Sequence, residues 1–234
     1  MGRQRPSALL QPAQVPAPVD REERPRHHRQ ESPDRYLSPP VLILASASPR
    51  RRELLGQLGI PFEIHPSHIP EVHPARPPAE AIVAVALAKA LAVAAALGPA
   101  APRAVVLGAD TEVVLDGRLL GKPRDAADAA RMLRDLRGRE HQVITGLAVV
   151  ETGPPGTTLR QETASVTTRV RMGGYGDAEI DAYVATGEPL DKAGGYAVQG
   201  LGGRLVAAVD GCFTNVVGLP LTTTRALLAR RGLL

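Results

Sequence analysis

The chain has 234 residues, 44% hydrophobic and 3% aromatic, with no Trp, one Cys and a net charge of +4. That length suits one compact unit, or two small lobes on a shared core of Ala, Val and Leu, and the scarcity of aromatics argues against base-stacking platforms for single-stranded nucleic acid. The single Cys212 excludes a disulfide framework or multi-cysteine metal site, fits a reducing cytoplasm and reads as a small half-buried residue.

The basic excess is mainly arginine spread along the chain and hints at phosphate ligands, so no nucleic-acid partner is expected. No stretch reaches the roughly 18 uninterrupted apolar residues of a membrane span. The nearest, Ala79 to Leu97, is broken by Glu80 and Lys89, so no membrane partner is expected either.

Residues 1 to 38 carry prolines from Pro6 to Pro33 among scattered charge, with no apolar period. They read as a disordered extension without the apolar region of a secretory signal, ahead of one domain over 39–234. Val41 to Leu44 then reads as a buried strand, Ser48 as a helix N-cap, Pro49 as the first helical residue, and Glu53 to Leu58 as the helix that follows. A capping box would put Glu or Gln three residues after Ser48, but Arg51 stands there. The free N–H groups of the first turn, flanked by Arg50, Arg51 and Arg52, are therefore suited to an anion.

Gly59 stops this helix and Ile60 to Ile64 reads as a second strand. His65, His68 and His73 are spaced irregularly among Pro66, Pro70 and Pro74, which implies an extended loop with solvated histidines rather than a three-histidine metal site. Pro77-Pro78 opens a long helix from Ala79 to about Leu97, closed by Gly98-Pro99; Lys89 inside it would by default snorkel to solvent.

Arg103 to Leu107 reads as a buried strand ending in the small residues Gly108 and Ala109, followed by Asp110 and Thr111. An acid at a strand end in an α/β sheet lines the crevice where ligands bind. Val113 to Leu115, Asp116-Gly117 and Arg118 to Leu120 form a hairpin signal that returns Gly121-Lys122-Pro123 towards the strand ends. Asp125 caps a helix to Leu136; Val143 to Val150 and Thr163 to Val170 read as strands joined by a Gly153–Gly156 turn; Ala178 to Ala185 reads as a short helix. Glu188 to Gly200 mixes charge and glycine with little room for regular structure, as a ligand-wrapping loop does. Leu205 to Val209 and Leu221 to Arg230 close the chain as strand and helix.

Together these units resemble the Maf family of nucleoside triphosphate pyrophosphatases, also called septum formation inhibitor proteins. The resemblance runs from about Val41 to Leu228. It rests on Leu44-Ala45-Ser46-Ala47-Ser48-Pro49-Arg50-Arg51, Gly108-Ala109-Asp110-Thr111, Gly121-Lys122-Pro123, Asp191-Lys192-Ala193-Gly194 with Gln199-Gly200, and Val216-Val217-Gly218-Leu219-Pro220.

It implies an α/β fold, a mixed twisted sheet with flanking helices and two lobes around a central cleft, similar to the inosine triphosphatase fold, and a homodimer. It also implies hydrolysis of a nucleoside triphosphate to the monophosphate and pyrophosphate with a divalent metal, Mg²⁺ or Mn²⁺. Asp110 matches the family's proton acceptor; Ser46, Arg50, Arg51, Glu71, Lys89 and Lys122 match its polar active-site set; Arg50, Thr111 and Gln199 match positions linked to base choice. Where the family has an acidic pair, this chain has Pro70-Glu71.

The chemistry of these residue types agrees. Arginines hold phosphates, Lys89 and Lys122 can neutralise charge on leaving pyrophosphate, and Asp110 with Glu71 can hold a metal or orient water. Gln199, with Asp191 and Lys192 in the same loop, resembles the dTTP and UTP branch: an amide can accept from and donate to a pyrimidine edge, whereas a carboxylate would suit guanine. The alternatives are a 7-methyl-GTP pyrophosphatase and a non-catalytic nucleotide-binding regulator of septum formation.

Overall fold

The structure, a computed structural model, describes Met1 and residues 40–97, 103–153 and 157–234. The expected extension over residues 1–38, the Gly98-Pro99 helix stop and most of the Gly153–Gly156 turn lie outside the described residues.

Val41–Leu44 (β1) is the apolar run before the arginine turn, and Pro49–Gly56 (α1) leads from it to Phe62–Ile64 (β2), parallel to β1. Pro78–Ala96 (α2) then crosses to Ala104–Leu115 (β3), which is parallel to β1 on its other side. Arg118–Leu119 (β4) folds back on β3 through Asp116 and Gly117, both at positive φ, 51° and 75°, the geometry a two-residue hairpin needs.

After Ala126–Leu136 (α3), Glu140–Thr152 (β5) and Thr158–Met172 (β6) add antiparallel strands. Asp177–Val184 (α4) and a chain of 3₁₀ turns lead to Val206–Asp210 (β7), also antiparallel, and Phe213–Val217 (α5) and Leu221–Ala229 (α6) end the fold. The result is a seven-stranded mixed sheet in the order β2-β1-β3-β5-β6-β7, with β4 beside β3. The short helix α5 had no counterpart in the sequence reading.

One expectation is corrected. The strand thought to end at Gly108 runs on for 12 residues, so Asp110 and Thr111 lie mid-strand. The reason is twofold: β5 pairs the whole run from Val105 to Val114, and the small residues serve a helix contact rather than a stop. A Cβ on Gly108 would lie 2.2 Å from the Ala86 carbonyl oxygen of α2. Although α2 is long and apolar enough to cross a membrane by length and composition alone, its face from Ala81 to Val93 is buried on β3 and β5.

Alternation along β3 sorts the core. Val105 and Leu107 pack with Leu54, Leu55, Leu227 and Leu228 from α1 and α6, while Val113 and Leu115 pack with Leu133, Leu136, Ile180 and Tyr183 from α3 and α4. These clusters share one face and leave Thr111 between them. The opposite face belongs to α2, where Ala86, Ala90 and Val93 meet Ile43 and Val106. β1 pairs only with Ala104–Leu107 and β4 only with Val114–Leu115. On that side, residues 108–112 have no strand partner among the described residues, and the cleft opens along this gap.

Candidate active site

The cleft has a volume of about 570 Å³, and all the site residues expected from sequence line it: Ser46, Arg50, Arg51, Glu71, Lys89, Asp110, Thr111, Lys122, Asp191, Lys192 and Gln199. The first wall grows from the end of β1. Ser48 caps α1 by accepting a hydrogen bond from Arg51 N at 3.4 Å, Pro49 takes the first helical position, and no acid occupies the first turn.

Arg51 turns inward. Its Nε donates to Gly218 O at 2.9 Å, Nη1 to Ser46 Oγ at 3.3 Å and Nη2 to Thr111 Oγ1 at 3.0 Å. Burial lowers its pKa, against the support of Asp110 and Glu71, yet a guanidinium stays charged. Thr111 is itself held by Thr145 Oγ1 at 2.9 Å, and Thr145 donates to Asn215 O in α5. Arg50 is half-buried on the cleft, while Arg52 is exposed and outside its lining.

The second wall is a lysine–carboxylate cluster on the α2 face of β3. Lys89 does not snorkel: it is 4% exposed and donates to Glu71 Oε1 at 2.6 Å and Asp110 Oδ1 at 2.8 Å. Lys122 reaches Glu71 Oε2 at 3.3 Å, so both Glu71 oxygens face ammonium groups. His73 Nε2 lies 2.8 Å from Asp110 Oδ2. Burial pushes the Asp110 carboxyl up, but His73, Lys89 and Arg51 together hold it down at about 2, so it is ionised throughout the neutral range. Burial likewise opposes the charge on Glu71, and Lys89 and Lys122 keep that carboxyl below its ordinary value.

The third wall is the glycine-rich loop. Glu188 anchors it, accepting from Tyr183 Oη at 2.9 Å and from Leu201 N and Gly202 N at 3.1 and 3.0 Å. Lys192 donates to Glu188 O at 2.9 Å and pairs with the exposed Asp191. Gly194, at φ 70°, donates its N–H to Gly121 O at 2.8 Å and passes so close to β3 that a Cβ there would stand 2.8 Å from Val113 Cγ2. Gln199 is exposed at the mouth, its amide open to a ligand edge.

Sequence reasoning passed over His73 and Glu112. His73, expected to be solvated, is brought onto Asp110 by its loop. The signal for Glu112 was present: acids two apart on a strand share a face, and Glu112 is buried beside Asp110. Burial and the charge of Asp110 raise the Glu112 carboxyl to about 7. His73, Asp110 and Glu112 each offer a donor atom within 4.8 Å of the others, and Glu112 Oε2 is buried with no hydrogen-bond partner. An orphaned carboxylate oxygen beside two further donors fits a divalent cation. Gly218 also escaped notice as a contact, although its carbonyl aims Arg51.

The chain matches the Maf-like protein family over residues 41–231. It is 54% identical over 195 residues to a dTTP/UTP pyrophosphatase of Anaeromyxobacter dehalogenans (strain 2CP-C), covering 82% of this chain and 95% of that one. It is 55% identical over 194 residues to the protein of that name in Moorella thermoacetica, with coverage of 82% and 95%. Among solved structures, a nucleoside-triphosphatase / dITP/XTP pyrophosphatase of Mycobacterium abscessus aligns at 16% identity and a TM-score of 0.39, covering 81% of this chain and 93% of that one, a likeness too slight to bear on the fold. The family match spans the sheet and all three walls of the cleft, and the chain belongs to the Maf family.

Proposed function

We propose that the chain is a hydrolase that cleaves nucleoside triphosphates, dTTP and UTP foremost, to the monophosphate and pyrophosphate. The observation that carries this reading is the charge layout of the cleft. Arg51, Lys89 and Lys122 present cations along one channel, and a deeply buried carboxylate, Asp110, is kept ionised among them.

A pure binder of polyphosphate gains nothing from a buried anion facing its ligand, whereas hydrolysis needs an acceptor for water. Asp110 supplies that acceptor: its oxygens can orient the water's proton while Lys89 fixes the carboxylate plane. The α1 N-terminus with Arg50 and Arg51 receives phosphate oxygens, and Lys122, exposed and movable, can follow charge onto the departing pyrophosphate. A divalent cation, Mg²⁺ or Mn²⁺, would be held at Asp110 and its neighbouring donors and would neutralise phosphate charge when bound.

Gln199, Thr111 and the Asp191-Lys192 pair are placed to meet the nucleoside, and an amide at the mouth suits a pyrimidine's alternating acceptor and donor edge. The names of the relatives at 54% and 55% identity favour the same substrates. A homodimer acting in a reducing cytoplasm completes the reading, the latter suited to a lone Cys212. A panel of triphosphates assayed with Mg²⁺ or Mn²⁺ for pyrophosphate release tests it. Preference for dTTP and UTP is expected; preference for 7-methyl-GTP refutes the branch, and no turnover with any triphosphate refutes the enzyme.

A further inference from the structure

We propose that His73, Asp110 and Glu112 form a mixed imidazole–carboxylate site that selects first-row transition dications, Mn²⁺ among them, over Mg²⁺. This deepens the pyrophosphatase reading by assigning its metal donors, and it rests on that reading for the metal's role.

Three observations carry it. Asp110 and Glu112, two apart on β3, project from the same face, so neighbouring carboxylates are fixed by the strand and need no loop to assemble them. His73 Nε2 stands 2.8 Å from Asp110 Oδ2, close to the roughly 3 Å between adjacent ligands of an octahedral ion held at about 2.1–2.2 Å, and 3.9 Å from Glu112 Oε1, inside the roughly 4.3 Å that separates opposite ligands of such an ion. Glu112, 6% exposed, leaves Oε2 buried with no hydrogen-bond partner. Such an oxygen costs stability unless something fills it, and the lysines do not: Lys89 and Lys122 bond Glu71 and Asp110 instead.

That division gives the two acidic groups different work. Glu71, with both oxygens on ammonium groups, belongs to the lysine side of the cleft; Glu112, facing an imidazole, belongs to the metal side. The imidazole decides selectivity. Mg²⁺ demands near-ideal octahedral geometry and keeps its waters, whereas a neutral ring nitrogen suits the later first-row divalent ions best, and Mn²⁺, at the weak end of that series, accepts it beside two carboxylates more readily than Mg²⁺ does.

The test uses the full chain, stripped of metal and without nucleotide, titrated with Mn²⁺ and Mg²⁺ by calorimetry and examined with Mn²⁺ by pulsed electron paramagnetic resonance. Expected are one Mn²⁺ per chain, bound at least about tenfold tighter than Mg²⁺, and a ¹⁴N coupling from a directly bound ring. His73→Asn should abolish that coupling and narrow the Mn²⁺ to Mg²⁺ ratio. Glu112→Gln, nearly isosteric and so tolerated by the fold, should weaken both ions by at least about tenfold, since even outer-shell changes cost metal sites about that much.

Absent binding, absent nitrogen coupling, or coupling that survives His73→Asn would each overturn the assignment. If the coupling appears and vanishes as expected while no triphosphate is hydrolysed, the metal site stands and the pyrophosphatase reading falls.

Discussion

Replacing Lys89 with Met removes one cation from between two carboxylates, and the structure sets the size of the effect. Lys89 is 4% exposed and Asp110 3%, whereas the Glu71 carboxylate is 40% exposed and keeps Lys122. Deleting one partner of a buried ion pair costs about 3–5 kcal/mol. Glu71 can rehydrate and Asp110 retains His73, so the lower end, about 3 kcal/mol, is expected, equal to a fall of about 6–12 °C in a domain of this size.

The loss should also depend on pH. Holding Asp110 from an ordinary 3.8 down to about 2 contributes about 2 kcal/mol. A carboxyl lowered on folding adds stability that is full above its unfolded value and lost as pH falls through its folded value. Lys89→Met lets Asp110 rise, so the variant's carboxyl takes up a proton at higher pH and sheds its unpaired charge. Urea unfolding in a chelator, at pH 7 and again near pH 3.5, should show a deficit that shrinks by at least about 1 kcal/mol in acid. Equal stability of the two proteins, or the same deficit at both pH values, would refute the ion-pair account.

Asp110→Asn should cut pyrophosphate release by at least about a hundredfold while nucleotide binding, followed by fluorescence titration, survives. Arg51→Lys keeps a charge but forfeits the fork that joins Gly218, Ser46 and Thr111, so KM for the triphosphate should rise about tenfold or more in steady-state assays. Gly108→Ala drives a methyl into the Ala86 carbonyl and should lower stability to urea by about 1–3 kcal/mol. Burial lowers His141 to about 4, so the unfolded chain binds a proton first and stability should fall by about 3 kcal/mol as pH drops from about 6.5 to about 4; His141→Gln should flatten that limb in a pH series of melts.

The sequence carried the local grammar well. Ser48-Pro49 specified a helix start and Asp116-Gly117 a hairpin because each depends on neighbouring backbone alone. The break at Gly108 misled because glycine has two uses, ending a strand and admitting a close neighbour, and only the packing of α2 tells them apart. Lys89 and His73 were opaque for a related reason. A lone cation on an apolar helix and a histidine among prolines acquire meaning only from partners 21 and 37 residues away. The arginine turn was legible as a Ser-capped helix start, but not that Arg51 would be aimed by a carbonyl 167 residues further on.

The continuity of β3 has one more implication. Thr111 meets Arg51 on one face of the strand, while Asp110 and Glu112 meet the cluster around Lys89 and His73 on the other. On the proposed function, substrate grip and water handling are thus sorted by whether a residue number is odd or even. Inserting or deleting one residue between Leu107 and Asp110 would exchange the two sets wholesale, with hydrophobicity and length almost unchanged. The site is therefore protected less by its individual side chains than by the parity of a short stretch of backbone, an error that point substitution cannot make and a single-codon slip can.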